Sequence, residues 1–378
     1  MKKFNWTSTI RANVFMLKCV GLWPERGETY QRDFYTFYAV FNAILIIGGH
    51  NLSQLVNILF VYSDLEALAA TIFVMITNIL ATMKMYLFVR NMRVIKRLLL
   101  VLDSIHFQPK SLEQEKLIQP SLKIWKKSYT IYSSIVAVNV VLWSIAPLMN
   151  EGQRLPFVAW YPFSTESSPN YQIIYVYQVV CIWYITIANI NLDSLTYALM
   201  MYICAQCDIL CDNLSLLGGT ETDFSTTLRE CIVHHKKIVC FAKEGNRVFN
   251  MIILGQFATS TLVLALTMFQ LTLVDPLSEA AFTHLSYIIG ISTQVLLYCW
   301  FGNEVEIKSS QIPYAIYKSD WFGRSVGVKT SLLILSVRCQ QPVRITAINL
   351  FVLSLRTFVV ILRSAWSYFA VLYKVNNQ

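Results

Sequence analysis

Residues 171–204 read YQIIYVYQVVCIWYITIANINLDSLTYALMMYIC and carry one acidic side chain, Asp193, and no basic one. A helix needs about 20 mostly apolar residues to cross roughly 30 Å of bilayer hydrocarbon, and this stretch is longer than that. The rest of the chain repeats the pattern. Of its 378 residues 55% are hydrophobic and only 14% charged, with a mean hydropathy of +0.49, whereas soluble domains carry about 25% charged residues. The charge deficit falls in long runs, which excludes a disordered chain and a nucleic-acid module, so no nucleic-acid partner is expected. Seven spans emerge, at about 34–60, 65–89, 128–149, 171–204, 250–274, 280–302 and 344–373, the fourth and seventh longer than a simple crossing. The expected fold is therefore all-α, a polytopic membrane protein with seven transmembrane helices in one domain over 1–378. The first 30 residues lack an apolar run followed by a small-residue cleavage site, so the N-terminus is expected to be retained. No internal repeat is visible, which leaves a secondary transporter without support.

Basic residues set the direction of the spans. Segments 1–33, 90–127, 205–249 and 303–344 hold six, nine, five and six Lys and Arg, 26 of the 31 in the chain, while the loops on the other side hold only Arg154. The N-terminus is expected in the cytoplasm and the C-terminus outside. A seven-helix G-protein-coupled receptor runs the opposite way, and neither Asp-Arg-Tyr after the third span nor Asn-Pro-x-x-Tyr in the seventh is present. All nine cysteines fall in spans or cytoplasmic segments, where thiols stay reduced. The sequons at Asn5, Asn51 and Asn213 are placed where glycosylation is not expected.

One outer segment is long, and within it Leu155-Pro156-Phe157 and Trp160-Tyr161-Pro162 read equally as a lid over the helix ends or as an interfacial aromatic belt. Residues 90–107 alternate Arg93, Lys96 and Arg97 with apolar side chains at helical spacing, suiting either a lipid-lying helix or, the favoured reading, a continuation of the second span. Cys204-x-x-Cys207, Cys211 and His234-His235 form a weak metal pattern, since a single CxxC lacks its second pair; packing residues are the preferred reading, and no metal or cofactor is expected. No Gly-rich phosphate loop, HExxH or GxSxG occurs, so an enzyme is not expected. Within spans the ionisable residues are His50, Lys84, Asp193, His284, Arg356 and Arg363, each a functional candidate because burial in lipid is costly. Lys84 and Asp193 read as a structural ion pair or as snorkelling groups, and His284 as either a cavity or a headgroup residue.

The C-terminal third carries Gln340-Gln341-Pro342, then Leu353-Ser354-Leu355-x-x-Phe358, then Ile361-Leu362-Arg363-Ser364-x-x-Ser367-Tyr368-Phe369. In this pattern it resembles the insect odorant receptors. Asp193-Ser194-Leu195, the two outer-loop triplets and the inverted seven-span plan extend it over the whole chain. Trp366 departs from the family's smaller residue or Tyr. The Thr-Tyr and Gln-Phe pattern typical of gustatory receptors is absent, and the compact segment 205–249 differs from the long loop of the shared co-receptor, so the chain resembles an odorant-tuned subunit.

Membership implies a subunit of a tetrameric, ligand-gated, non-selective cation channel that assembles with an odorant co-receptor through cytoplasmic regions 205–249 and 303–343, in the plasma membrane of olfactory neuron dendrites. The last helix would line the pore, with Val371 and Val375 as a hydrophobic gate and Lys374 beside them unexpected for a cation path. A small volatile organic ligand would sit in the outer half of the bundle. Candidates there are Phe73, Ile76 and Thr77 in span two and Ser134, Val138, Val141 and Ile145 in span three. Tyr177, Cys181, Met268, His284, Tyr287 and Ile291 complete the set. A metabotropic receptor and a gustatory-type relative stand as the alternatives.

Overall fold

A computed structural model describes residues 3–25, 27–62, 65–149, 155–165, 168–218 and 224–376; Lys2, Arg26 and Arg154, which entered the charge count, lie outside them. Helices build nearly all of it. A short helix α1 (Arg11–Cys19) is followed by α2 (Phe34–Asn42) and α3 (Gly49–Val61), which a π-helical turn over Ala43–Gly48 joins into one rod. Then come α4 (Leu65–Arg90), α5 (Met92–Leu102), α6 (Leu112–Met149), α7 (Asn170–Ser215), α8 (Phe224–Thr272), α9 (Glu279–Ser310), α10 (Ile312–Lys318) and α11 (Val326–Cys339). A two-stranded hairpin, β1 (Thr346–Ala347) against β2 (Phe351–Val352), leads into α12 (Leu355–Asn376). Seven helical rods are long and apolar enough to cross a membrane, and each of the seven sequence spans overlaps one of them, the last only from Leu355.

Several rods are much longer than the roughly 20 residues a crossing needs. The α6, α7, α8 and α9 helices continue toward the end of the bundle that carries most Lys and Arg, here the basic end; the opposite end carries residues 155–165 and is the loop end. At the basic end Lys308 pairs with Asp208 at 2.9 Å and Arg344 with Glu306 at 2.8 Å. The segment 90–107 packs against protein, with Met92, Ile95, Leu98, Leu99 and Leu102 buried, which disfavours a lipid-lying helix; α5 is nevertheless a separate helix, set off from α4 by a break at Asn91. The N-terminal residues form more than a basic tail. Trp6, Ile10 and Leu17 are fully buried, Tyr202 donates to the Trp6 carbonyl at 2.9 Å, and Asn13 donates to the Asn191 carbonyl at 2.8 Å.

The last span is a correction. The apolar run 344–373 is helical only from Leu355, because Ile348 and Asn349 adopt positive φ (43° and 60°) and Leu350 N–H closes a turn on the Ala347 carbonyl at 3.0 Å. Two successive positive φ values suit a tight hairpin and stop a right-handed helix. Hydropathy does not register that break.

An internal aromatic cavity above a buried ion pair

Four helices, α4, α6, α7 and α9, separate near the loop end to enclose a cavity of about 90 Å³, against ~10–15 Å³ for one water. Its roof is aromatic. Trp143 of α6 stacks on Phe157 with ring centres 5.0 Å apart and planes 14° from parallel, and Phe73 meets Trp143 at 5.9 Å and Tyr287 at 5.8 Å. Rings in these offset and edge contacts attract one another beyond their buried area. Phe157 belongs to the loop and is buried there because Gln178 clips its backbone at both ends: the Phe157 N–H donates to Gln178 Oε1 at 3.0 Å and the Gln178 amide donates to the Phe157 carbonyl at 3.1 Å. The loop is thus a lid at Leu155-Pro156-Phe157. Three residues on, Trp160 is part exposed and stacks on Phe60 at 6.1 Å, as an interfacial belt residue would.

The floor is polar and continuous with a buried ion pair. Lys84 Nζ lies 2.7 Å from Asp193 Oδ1, both side chains 0% exposed, so neither reaches water by snorkelling. Further hydrogen bonds support the pair: Lys84 also donates to Asn189 Oδ1 at 2.9 Å, Tyr298 donates to Asp193 Oδ1 at 2.6 Å, and Gln294 donates to Asp193 Oδ2. Such satisfaction is what a buried pair needs to offset its desolvation. Asn189 and Gln294 line the cavity as well. Gln294 further accepts from Gln256 of α8 at 2.9 Å, and α8 is a helix on which α12 lies.

Of the residues singled out from sequence, Phe73, Thr77, Tyr287 and Ile291 line this cavity, with the Thr77 and Tyr287 hydroxyls hydrogen-bonded at 2.8 Å. His284 stacks on the outside of the roof, 6.2 Å from Phe73 and 6.3 Å from Trp143. Cys181 is fully buried but off the wall, and Ile76 and Met268 are half-buried and off it too. Tyr177 turns toward α2–α3, where its hydroxyl donates at 2.8 Å to the Leu45 carbonyl in the π-helical turn and approaches Gly49 within 2.6 Å of where a Cβ would stand.

The third span needs a correction of face. Ser134, Val138, Val141 and Ile145 point outward, Val138 being 57% exposed, while the wall is made by Tyr132, Val136, Asn139, Val140 and Trp143. The stripe selected for being apolar is the one on the outside of the bundle. In a bilayer the polar residue marks the inward face, and Asn139 and Tyr132 were the available signal. Sequence reasoning also missed Asn78, Asn189, Gly290 and Gln294 of the wall, and Phe157 as a cavity residue. Val371 and Val375 lie exposed toward the C-terminal end of α12, with Lys374 exposed between them.

The cysteine and histidine pattern resolves into packing. Cys204 and Cys207 are buried, His234 bonds Gln206 at 2.9 Å, and His235 lies 3.5 Å from the Cys339 sulfur. Burial pushes the Cys339 thiol up to about 11. Among the described residues no three His, Cys, Asp or Glu side chains converge to hold a metal.

A helical bundle with seven membrane-crossing rods and an aromatic-roofed cavity among them has the form of a membrane protein with room for a small molecule. The model of the 7tm Odorant receptor family matches residues 64–366, and the chain belongs to that family, one of receptors rather than enzymes. Odorant receptor 46a, isoform A, of Drosophila melanogaster is 25% identical over 372 residues, covering 96% of each chain. Odorant receptor Or1 of Anopheles gambiae is 23% identical over 96% of this chain and 94% of its own. The insect olfactory receptor OR5 of Machilis hrabei, solved in complex with eugenol, superposes with a TM-score of 0.88 at 20% identity over 98% of this chain and 100% of its own. That likeness is one of fold.

Proposed function

We propose that this chain is an odorant-tuned subunit of a ligand-gated, non-selective cation channel, assembled as a tetramer with an odorant co-receptor in the plasma membrane of olfactory neuron dendrites. Its N-terminus is cytoplasmic and its C-terminus outside, which puts the basic end in the cytosol and the cavity in the outer half. The observation that carries the reading is the cavity itself: a pocket this apolar, roofed by four rings and a clipped lid, suits a small volatile organic ligand. Affinity then comes mainly from buried apolar area, at about 25 cal/mol per Å².

Gating follows from differential affinity, since a ligand opens the channel only by binding the open arrangement more tightly than the closed one. Gln294 touches the cavity, Asp193 and Gln256 together, which gives occupancy a route through α8 to α12. There Val371 and Val375 form the gate, closing the pore by dewetting. The test is whole-cell current in cells expressing the chain with and without an insect co-receptor, under a broad volatile panel and with G-protein signalling blocked. Odour-evoked cation current that needs the partner and survives the block is expected. Current abolished by the block would instead support a metabotropic receptor.

A further inference from the structure

We infer that the ligand of this cavity is a single-ring aromatic molecule bearing one hydroxyl group, held by the side chains of Tyr132, Asn139 and Asn189. The inference rests on the ligand-binding reading proposed above and adds the ligand's chemical class. All three side chains line the cavity, and each brings to it a polar atom without a protein partner among the described residues. Tyr132 is 2% exposed, and its hydroxyl forms no hydrogen bond with the surrounding helices. The Asn139 amide nitrogen donates at 2.8 Å to Ser286 Oγ, whose own proton goes to the Thr283 carbonyl at 2.9 Å. Ser286 therefore only accepts from Asn139, which fixes that amide's orientation and leaves Asn139 Oδ1 as an acceptor for the cavity. Lys84, a donor with no lone pair, lies 2.9 Å from Asn189 Oδ1. That contact fixes the second amide and leaves Asn189 Nδ2 as a donor.

The cavity thus offers one fixed acceptor, one fixed donor and a hydroxyl that serves as either. A ligand hydroxyl answers both fixed groups, donating to Asn139 and accepting from Asn189 or Tyr132. An ether or ketone oxygen accepts but leaves Asn139 unanswered, and a hydrocarbon leaves all three, which is costly for buried polar groups. A charged ligand is disfavoured because the ion pair beneath is already matched, at 2.7 Å, so a further charge would be desolvated without a counterion. The ring comes from the roof: Trp143, Phe73 and Tyr287 present faces and edges that a flat π system fills. A volume of about 90 Å³ is below the ~150 Å³ of a cavity that takes benzene, so the site takes no more than one ring and widens to admit it.

Benzyl alcohol, benzyl methyl ether and toluene are the probes, applied to cells co-expressing the chain and an insect co-receptor. Benzyl alcohol is expected to act at a concentration at least about tenfold below the other two, the ratio of a single well-made hydrogen bond. In Tyr132→Phe and Asn139→Leu that ratio is expected to fall below about threefold while the toluene response holds. Equal potency of the three probes in the parent, or an equal loss for all three in Tyr132→Phe, would overturn the hydroxyl assignment and leave the channel reading standing. Silence to every volatile despite surface delivery would remove the channel reading, and this inference with it.

Discussion

The Lys84–Asp193 pair concentrates the energetic argument at the level of single residues. Two charges 2.7 Å apart with no exposed surface are stable only as a unit, since removing one partner of a buried pair strands the other at a cost of about 3–5 kcal/mol. Lys84→Met and Asp193→Asn are each expected to lower the stability of the purified protein by about that amount, read from thermal unfolding in detergent. The double variant K84M/D193N is expected to recover most of the loss; a double variant as unstable as the two losses added would mean the pair is not a unit. The sequence marked both residues because a charge in a span is rare, and suggested their pairing as one structural reading. It did not show Asn189, Gln294 and Tyr298 around them. Those neighbours come from faces of α7 and α9 whose rotation no local pattern fixes.

Elements were legible in existence and blurred in extent and facing. Seven spans follow from length and hydropathy alone, yet α8 runs from Phe224, well ahead of its apolar window, and α12 starts at Leu355 after a hairpin buried in an apolar run. The facing of α6 was inverted because the most apolar stripe of a membrane helix belongs to lipid, whereas Tyr132 and Asn139 mark the inward side. The hairpin explains part of the C-terminal motif. Leu353, 0% exposed, presses onto α9 at Gly302, where an added Cβ would stand 2.3 Å from Leu353 Cβ and 2.8 Å from its carbonyl oxygen. Ser354 then caps α12, its hydroxyl accepting from the Thr357 N–H at 3.3 Å. Gly302→Ala is expected to unseat the start of α12 and destabilise the protein by about 1–3 kcal/mol. Thermal unfolding of the variant reads that loss, and an unchanged midpoint would show that Leu353 yields freely.

For the whole molecule, the proposed orientation rests on the count of basic residues, and the family match with residues 64–366 supports reading the bundle as one receptor subunit. With Val371 and Val375 exposed on α12, substitution of either by Ser is expected to raise current in the absence of odorant or shift its concentration dependence, measured in co-expressing cells. Indistinguishable currents would take the gate away from these two residues. The central claim is that occupancy of the α4–α6–α7–α9 cavity opens the channel, and Gly290 gives direct access to it. Gly290 lines the cavity, and a Cβ added there meets no atom within 4 Å, so a side chain at this position starts in open space and grows into ligand space. The decisive measurement is the odour-evoked current of Gly290→Leu beside the parent, at equal surface delivery with the co-receptor. Loss of the response, or at least about a tenfold rise in the concentration needed, is the predicted result; a concentration–response curve identical to the parent's would contradict the account.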